Sequence, residues 1–319
     1  MGTPLIPQEI FLLERYTSAE YFGQLRDTWA EMVAHLDRCL DEFMRNLPLD
    51  YRDRALPEQP DAVWGERVIP NFRDTLQSLN DGYLKLSGGD IAGLEYCYGP
   101  LNDFKGQTDF WAAWMKRGDE NIYGELLNKA VRLAGNIRST EGAYWNPMTL
   151  TSRYDELSRG PLDAPANWPM YRLVSAISVK SGDQLPMSGI YLPEIDDSCA
   201  EFLSTEYETA PQAKVFIGDK DLVASDTGIK YGQQAIYIER PCSWILVERV
   251  SDTGTLSAPN LLEHGLRRVP AGKPCPQSGI YFAPSKENSR RHFVKDEIMP
   301  AFDSAYGATI WQWDINQEF

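Results

Sequence analysis

Three histidines (His35, His264 and His292) and five cysteines (at 39, 97, 199, 242 and 275) are the whole supply of imidazole and thiol metal donors in this 319-residue chain. His35 and Cys39 stand four apart within a predicted helix, a spacing that lays two side chains on one face where they could share a metal ion. No other histidine stands at ligand spacing and no CxxC pair occurs, so the two read as ordinary residues of a half-buried helix and no metal site is assigned. Asp196-Asp197 with Glu201 could serve acid–base chemistry, but the first turn of a helix favours acids through its dipole alone. Gly218-Asp219-Lys220-Asp221 starts like a calcium loop, lacks the remaining ligands, and reads as a turn. Ser289-Arg290-Arg291-His292 is the one compact basic run. It could hold a phosphate or carboxylate, yet Asp296 and Glu297 stand close by to neutralise it. There is no GxSxG, Walker loop, GxGxxG or HExxH. The chain therefore reads as a binding protein, with no catalytic residue and no cofactor.

The elements that must carry these residues change character along the chain. Thr17-Ser18-Ala19-Glu20 fits a capping box. Tyr21, Phe22, Leu25, Trp29, Met32, Val33, Leu36, Leu40, Phe43, Met44 and Leu47 then recur at helical spacing until Pro48. A second helix carries Trp64, Val68, Phe72, Leu76, Leu79, Tyr83 and Leu86 and stops at Gly88-Gly89, with Pro70 marking a kink or a later start. Residues 110–115 suggest a short third helix, and Ile122, Leu126, Ala130, Leu133, Ala134 and Ile137 a fourth. Four such stripes predict a helical bundle over residues 1–160.

Residues 161–319 instead show short β-branched and aromatic runs bounded by glycine or proline, including those around Val174, Ile236, Leu246 and Trp311. Two of these runs share one signature. Gly182-Asp183-Gln184-Leu185-Pro186-Met187-Ser188-Gly189-Ile190-Tyr191 and Gly272-Lys273-Pro274-Cys275-Pro276-Gln277-Ser278-Gly279-Ile280-Tyr281 both contain Ser-Gly-Ile-Tyr and lie 90 residues apart. The signature holds no reactive group, which points to a scaffold. A polar, helical segment and a further strand are expected after each copy. The predicted class is α+β: an N-terminal helical bundle, then a mixed α+β domain with an internally duplicated strand-helix-strand unit.

Apolar residues make up 43% and charged residues 24% of the chain, as in ordinary globular proteins. No stretch reaches the roughly 20 apolar residues of a bilayer span. The start shows no secretory pattern, and scattered, odd-numbered cysteines suit a reducing compartment, so a cytoplasmic location is expected. The formal net charge is −15. Residues 1–165 carry 26 acidic and 17 basic side chains and the remainder 20 and 14, so both halves are acidic. That field repels nucleic acid and anionic membranes and attracts basic partners.

The run from the second signature through Asn288-Ser289-Arg290-Arg291-His292-Phe293, Glu297-Ile298-Met299-Pro300 and Tyr306-Gly307-Ala308-Thr309-Ile310-Trp311-Gln312-Trp313-Asp314 resembles the immunity protein 72 family of bacterial polymorphic toxin systems. The N-terminal part resembles the companion immunity protein 71 family, through Tyr51-Arg52, Val63-Trp64-Gly65-Glu66-Arg67, Pro70-Asn71-Phe72 and Lys105-Gly106-Gln107-Thr108-Asp109-Phe110-Trp111. Ile280-Tyr281 departs from the tryptophans expected after the second Ser-Gly. The resemblance implies an inhibitor encoded beside a toxin, often one delivered by type VI secretion, that neutralises it by stoichiometric occlusion in the cytoplasm. A nuclease is one such target. The other classes considered are an enzyme that reverses the toxin's modification and a chaperone or adaptor that loads an effector. Six acids with no Lys or Arg among residues 194–208, namely Glu194, Asp196, Asp197, Glu201, Glu206 and Glu208, form the expected contact with a basic toxin domain. The oligomeric state is left open by the sequence.

Overall fold

The computed structural model of the protein describes residues 2–107, 110–206, 209–223, 225, 229–251, 268–283, 286, 289–302 and 309–314. Its helices are α1 (Pro7–Tyr16), α2 (Ala19–Arg45), α3 (Ile69–Ser87), α4 (Tyr98–Gln107), α5 (Arg117–Glu141) and α6 (Glu156–Arg159). The strands are β1 (Met170–Lys180), β2 (Gly189–Pro193), β3 (Glu201–Leu203), β4 (Ala213–Val223), β5 (Lys230–Arg240), β6 (Ser243–Ser251), β7 (Arg268–Pro270), β8 (Gly279–Phe282), β9 (Arg291–Phe293) and β10 (Ile310–Trp313). Strands pair antiparallel throughout the described residues, so the class is α+β.

Two compact units form, and they are not the contiguous segments 1–160 and 161–319. One comprises Arg15–Tyr144 and Glu156–Pro161; the other comprises Met1–Glu14, Trp145–Asp155 and Leu162–Phe319. The first residues of the chain join the sheets because specific bonds hold them there. The Thr3 amide donates to the Ile195 carbonyl at 2.9 Å, the Gln8 side chain to the Leu150 carbonyl at 2.9 Å, and the Tyr171 hydroxyl to Glu14 at 2.7 Å. Ile10, Leu12 and Leu13 on α1 are buried.

In the helical unit, α2 starts one residue later than the capping box suggests. Ser18 is the cap, its Oγ accepting from the Tyr21 amide at 3.1 Å. The predicted stripe is the buried face, with Phe22, Leu25, Trp29, Met32 and Leu36 fully enclosed. Trp29 meets Phe72 of α3 edge to face, and its indole N–H donates to the Phe72 carbonyl at 2.9 Å. Pro70 lies in the first turn of α3, which continues without a break from a π-helical stretch Asp61–Val68, so the proline stands where the helix passes from π to α. α3 crosses the 3-10 segment Ile91–Cys97 at paired glycines. A Cβ on Gly82 would lie 2.9 Å from the Gly93 carbonyl oxygen, and one on Gly93 would lie 2.5 Å from that of Gly82. The expected helix over residues 110–115 does not form. The Trp111 carbonyl is taken by the Trp64 indole at 2.9 Å, and the segment is a turn that inserts Trp114 against Phe43 and Trp64.

In the other unit two four-stranded sheets have matching orders, β1-β6-β2-β3 and β7-β10-β8-β9. The signature residues have matching tasks in each. Gly182 and Gly272 take φ of +93° and +79°, which a side chain disfavours. Ser188 Oγ accepts from the Thr205 amide at 2.9 Å and Ser278 Oγ from the Lys295 amide at 2.8 Å. Tyr191 and Tyr281 reach back to the carbonyls of Met187 and Gln277, at 2.8 and 3.0 Å. The indoles of Trp244 and Trp311 each donate at 2.8 Å to a proline carbonyl, Pro211 and Pro300 respectively. The segments expected to be helical after each signature contain no helix among the described residues. β4, the strand that follows the polar segment after the first signature copy, does not join the first sheet. It belongs to a separate two-stranded arm, β4-β5, that interrupts the chain between β3 and β6. Gly218-Asp219-Lys220-Asp221 lies inside β4; the register shift at Gly218 is a β-bulge, so the glycine marks a bulge and no turn.

Candidate protein-interaction surface

The acidic segment leaves β2 and turns before β3. Its backbone is pinned at three points: the Glu194 amide donates to the Ser243 carbonyl at 2.8 Å, the Ile195 carbonyl accepts from Thr3, and the Asp197 carbonyl accepts from the Phe216 amide at 2.8 Å. Asp197 sits at φ +56°, a left-handed conformation that aspartate tolerates better than most residues. The turn thus fixes its backbone and presents Glu194, Asp196 and Asp197 to solvent. None of the three is in an ion pair among the described residues. Glu206 is also exposed, in the turn after β3. Glu208 lies outside the described residues, as does His264.

Glu201 does not belong to this surface. It is 4% exposed, on β3, and faces the interior together with Glu9 of α1. Glu9 accepts from the Ala200 amide at 2.9 Å, yet burial pushes its carboxyl up to about 8. Burial raises Glu201 well above the carboxylate range and Glu9 adds to that, against the opposing charge of Lys214. Oε2 of Glu201 has no hydrogen-bond partner. A carboxyl so placed favours its neutral form and cannot attract a basic protein.

The Asp197–Phe216 bond joins the acidic turn to the base of the β4–β5 arm. There Arg153 pairs with Asp219 at 3.0 Å and lies over the Phe216 ring. Lys230 pairs with Asp221 at 2.7 Å, so much of the arm's charge is internally neutralised. Beside exposed polar residues such as Lys220, Gln234, Glu239 and Arg240, the arm also exposes apolar side chains: Ile217 at 54%, Val223 at 52% and Tyr231 at 69%. A two-stranded ribbon is marginally stable alone, and its outer edges offer backbone groups to another chain. Ile217 follows Phe216 and so lies near the three carboxylates, whereas Val223 and Tyr231 stand at the far end of the ribbon, roughly 20 Å further along at the rise of a strand. An exposed tyrosine with β-branched neighbours is the composition of a binding surface with an aromatic anchor.

The other sequence candidates have structural partners. Arg291 pairs with Glu297 at 3.0 Å and Arg290 with Asp314 at 2.5 Å; Asp296 is not the partner. All five cysteines are free thiols, and burial raises those at Cys97 and Cys199. Trp111 is exposed, whereas Trp29, Trp64, Trp145, Trp244 and Trp311 are fully buried, so most tryptophans are core. Burial of Glu201 had no sequence signal, because a three-residue strand shows no periodicity. The arm was partly visible in its two apolar runs, which pair at Val215–Ile238 and Phe216–Tyr237. In comparisons with known proteins, no family model, no curated protein and no solved structure matches the chain.

Proposed function

We propose that this protein is an immunity protein, which binds a cognate toxin domain and neutralises it by stoichiometric occlusion. The observation that carries this reading is the acidic turn Glu194-Asp196-Asp197 beside an exposed, open-edged arm. Carboxylates free of ion pairs steer a basic partner, speeding association to as much as roughly 10⁸ M⁻¹s⁻¹ at low salt. Tyr231 and the arm's open edges then supply the slow dissociation that protection requires, through burial and strand pairing. The resemblance to the immunity protein 71 and 72 families supports the same role and rests on the quoted residues alone. Free thiols suit a toxin met in a reducing compartment such as the cytoplasm.

The duplication is part of this proposal. The two four-stranded sheets are copies of one scaffold unit, 90 residues apart at the signature, and one copy acquired the arm. Matching hydrogen bonds of Ser188 and Ser278, Tyr191 and Tyr281, and Trp244 and Trp311 support it.

The test is co-expression with the toxin encoded by the adjacent gene. Protection of the cell and a one-to-one complex are expected, with both weakened by charge reversal of Glu194, Asp196 and Asp197 together. Absence of a complex, or release of the toxin's target by turnover of this protein acting alone, rejects the reading.

A further inference from the structure

In the helical unit, α2 places His35 and Cys39 on one face, and the first turn of α5 brings Asp119 against them. Cys39 Sγ lies 3.4 Å from His35 Nε2, and His35 Nε2 lies 4.0 Å from Asp119 Oδ1. All three donor atoms fall within 4.8 Å of one another. Metal bonds of 2.0–2.3 Å at tetrahedral angles separate donors by roughly 3.5 Å, so little movement brings the three onto one ion. We infer that His35, Cys39 and Asp119 bind one divalent transition-metal ion of the zinc class.

The donor set selects the ion. One thiolate, one imidazole and one carboxylate suit Zn²⁺ or Co²⁺, whereas Mg²⁺ and Ca²⁺ require oxygen ligands. Three protein ligands leave a fourth position for water or a partner's side chain. The surroundings set the strength. His35 Nε2 donates to the Asp119 backbone carbonyl at 2.9 Å, while Nδ1 accepts from the Arg38 guanidinium at 3.0 Å. Because a carbonyl only accepts and a guanidinium only donates, the proton sits on Nε2. Binding at Nε2 replaces that proton and moves it to Nδ1, which turns Arg38 away. Arg38 therefore opposes the ion twice, through its charge and its hydrogen bond, and it is exposed and free to swing. Lys116 opposes it less, being paired with Glu42.

The experiment is titration of metal-stripped, reduced full-length protein with Co²⁺, followed by thiolate-to-cobalt charge-transfer absorption, with Zn²⁺ as competitor. One equivalent of cobalt is expected, in a four-coordinate spectrum that Zn²⁺ displaces. Cys39→Ser should abolish the charge-transfer band, and Asp119→Asn should weaken binding at least about tenfold. Arg38→Gln replaces the donor with a side chain whose carbonyl accepts from Nδ1–H, and it should tighten binding several-fold. That gain does not depend on any variant losing its fold. A wild-type protein without the band overturns the inference. So does a band that survives Cys39→Ser, or an Arg38→Gln variant that binds no more tightly than wild type.

Discussion

Glu9→Gln offers a direct reading of the buried acids. The Glu9 side chain is 2% exposed and accepts one backbone hydrogen bond, from Ala200. Its carboxyl is held at about 8 against an ordinary 4.5, with burial as the leading cause and the Ala200 bond opposing it. In the unfolded chain it ionises near the ordinary value. Below that value both states are protonated and nothing is lost. As pH rises towards 8 the unfolded state sheds its proton first, and stability falls; beyond 8 the loss is complete. At about 1.4 kcal/mol per pH unit, the full window amounts to about 5 kcal/mol, an upper estimate. Glutamine nearly matches the neutral acid in shape, keeps a carbonyl to accept from the Ala200 amide, carries one more donor, and never ionises. The variant should therefore match wild type near pH 4.5 and exceed it progressively up to pH 8. Glu201 adds a slope of the same sign, so the substitution should flatten the profile without erasing it. Urea denaturation at several pH values, with hydrogen exchange at the Ala200 amide as a local probe, measures the difference. Wild-type and variant profiles that run parallel, or a variant less stable at pH 8, would refute the assignment of Glu9 as a buried neutral acid.

Gly82→Ala should cost about 1–3 kcal/mol by overpacking against the Gly93 carbonyl, read as a lowered urea midpoint. Tyr191→Phe and Tyr281→Phe each remove one hydrogen bond at equivalent positions and should each cost about 1 kcal/mol in thermal or urea unfolding. Tyr231→Ala should leave stability nearly unchanged, since the side chain is 69% exposed, while raising the dissociation rate of a toxin complex measured by biolayer interferometry. Charge reversal at Glu194, Asp196 and Asp197 should act mainly on the association rate and remove most of its salt dependence.

Much of the helical unit could be read from side-chain spacing, because a long amphipathic stripe such as that of α2 has one way to be buried. The stop at Gly88-Gly89 followed from backbone rules, whereas Pro70, left open between a kink and a later start, marks a change from π to α helix. Residues 110–115 misled because bulky aromatics at helical spacing also suit a turn that plugs an aromatic cluster, and only the Trp64 indole decides between them. In the sheets, the signature residues predicted a shared local structure, but the intervening polar runs carried no information about whether they coil or extend. The acidic segment illustrates the limit most clearly. Glu194, Asp196, Asp197 and Glu201 are alike in sequence, yet one of them points inward because β3 packs against α1, a contact between positions some 190 residues apart. Asp119 is invisible for the same reason: it is 80 residues from Cys39, and only the pairing of α2 with α5 brings them together.

The arm departs from the sheet framework at Ala213 and rejoins it at Arg240, and these two residues are register partners. Its two ends therefore occupy one spot, so the hairpin can lengthen, shorten or be exchanged whole while β3 and β6 keep their places. Under the proposed function, a change of partner would need only this one cassette, provided its base kept the contacts of Phe216 and Asp219 with Asp197 and Arg153.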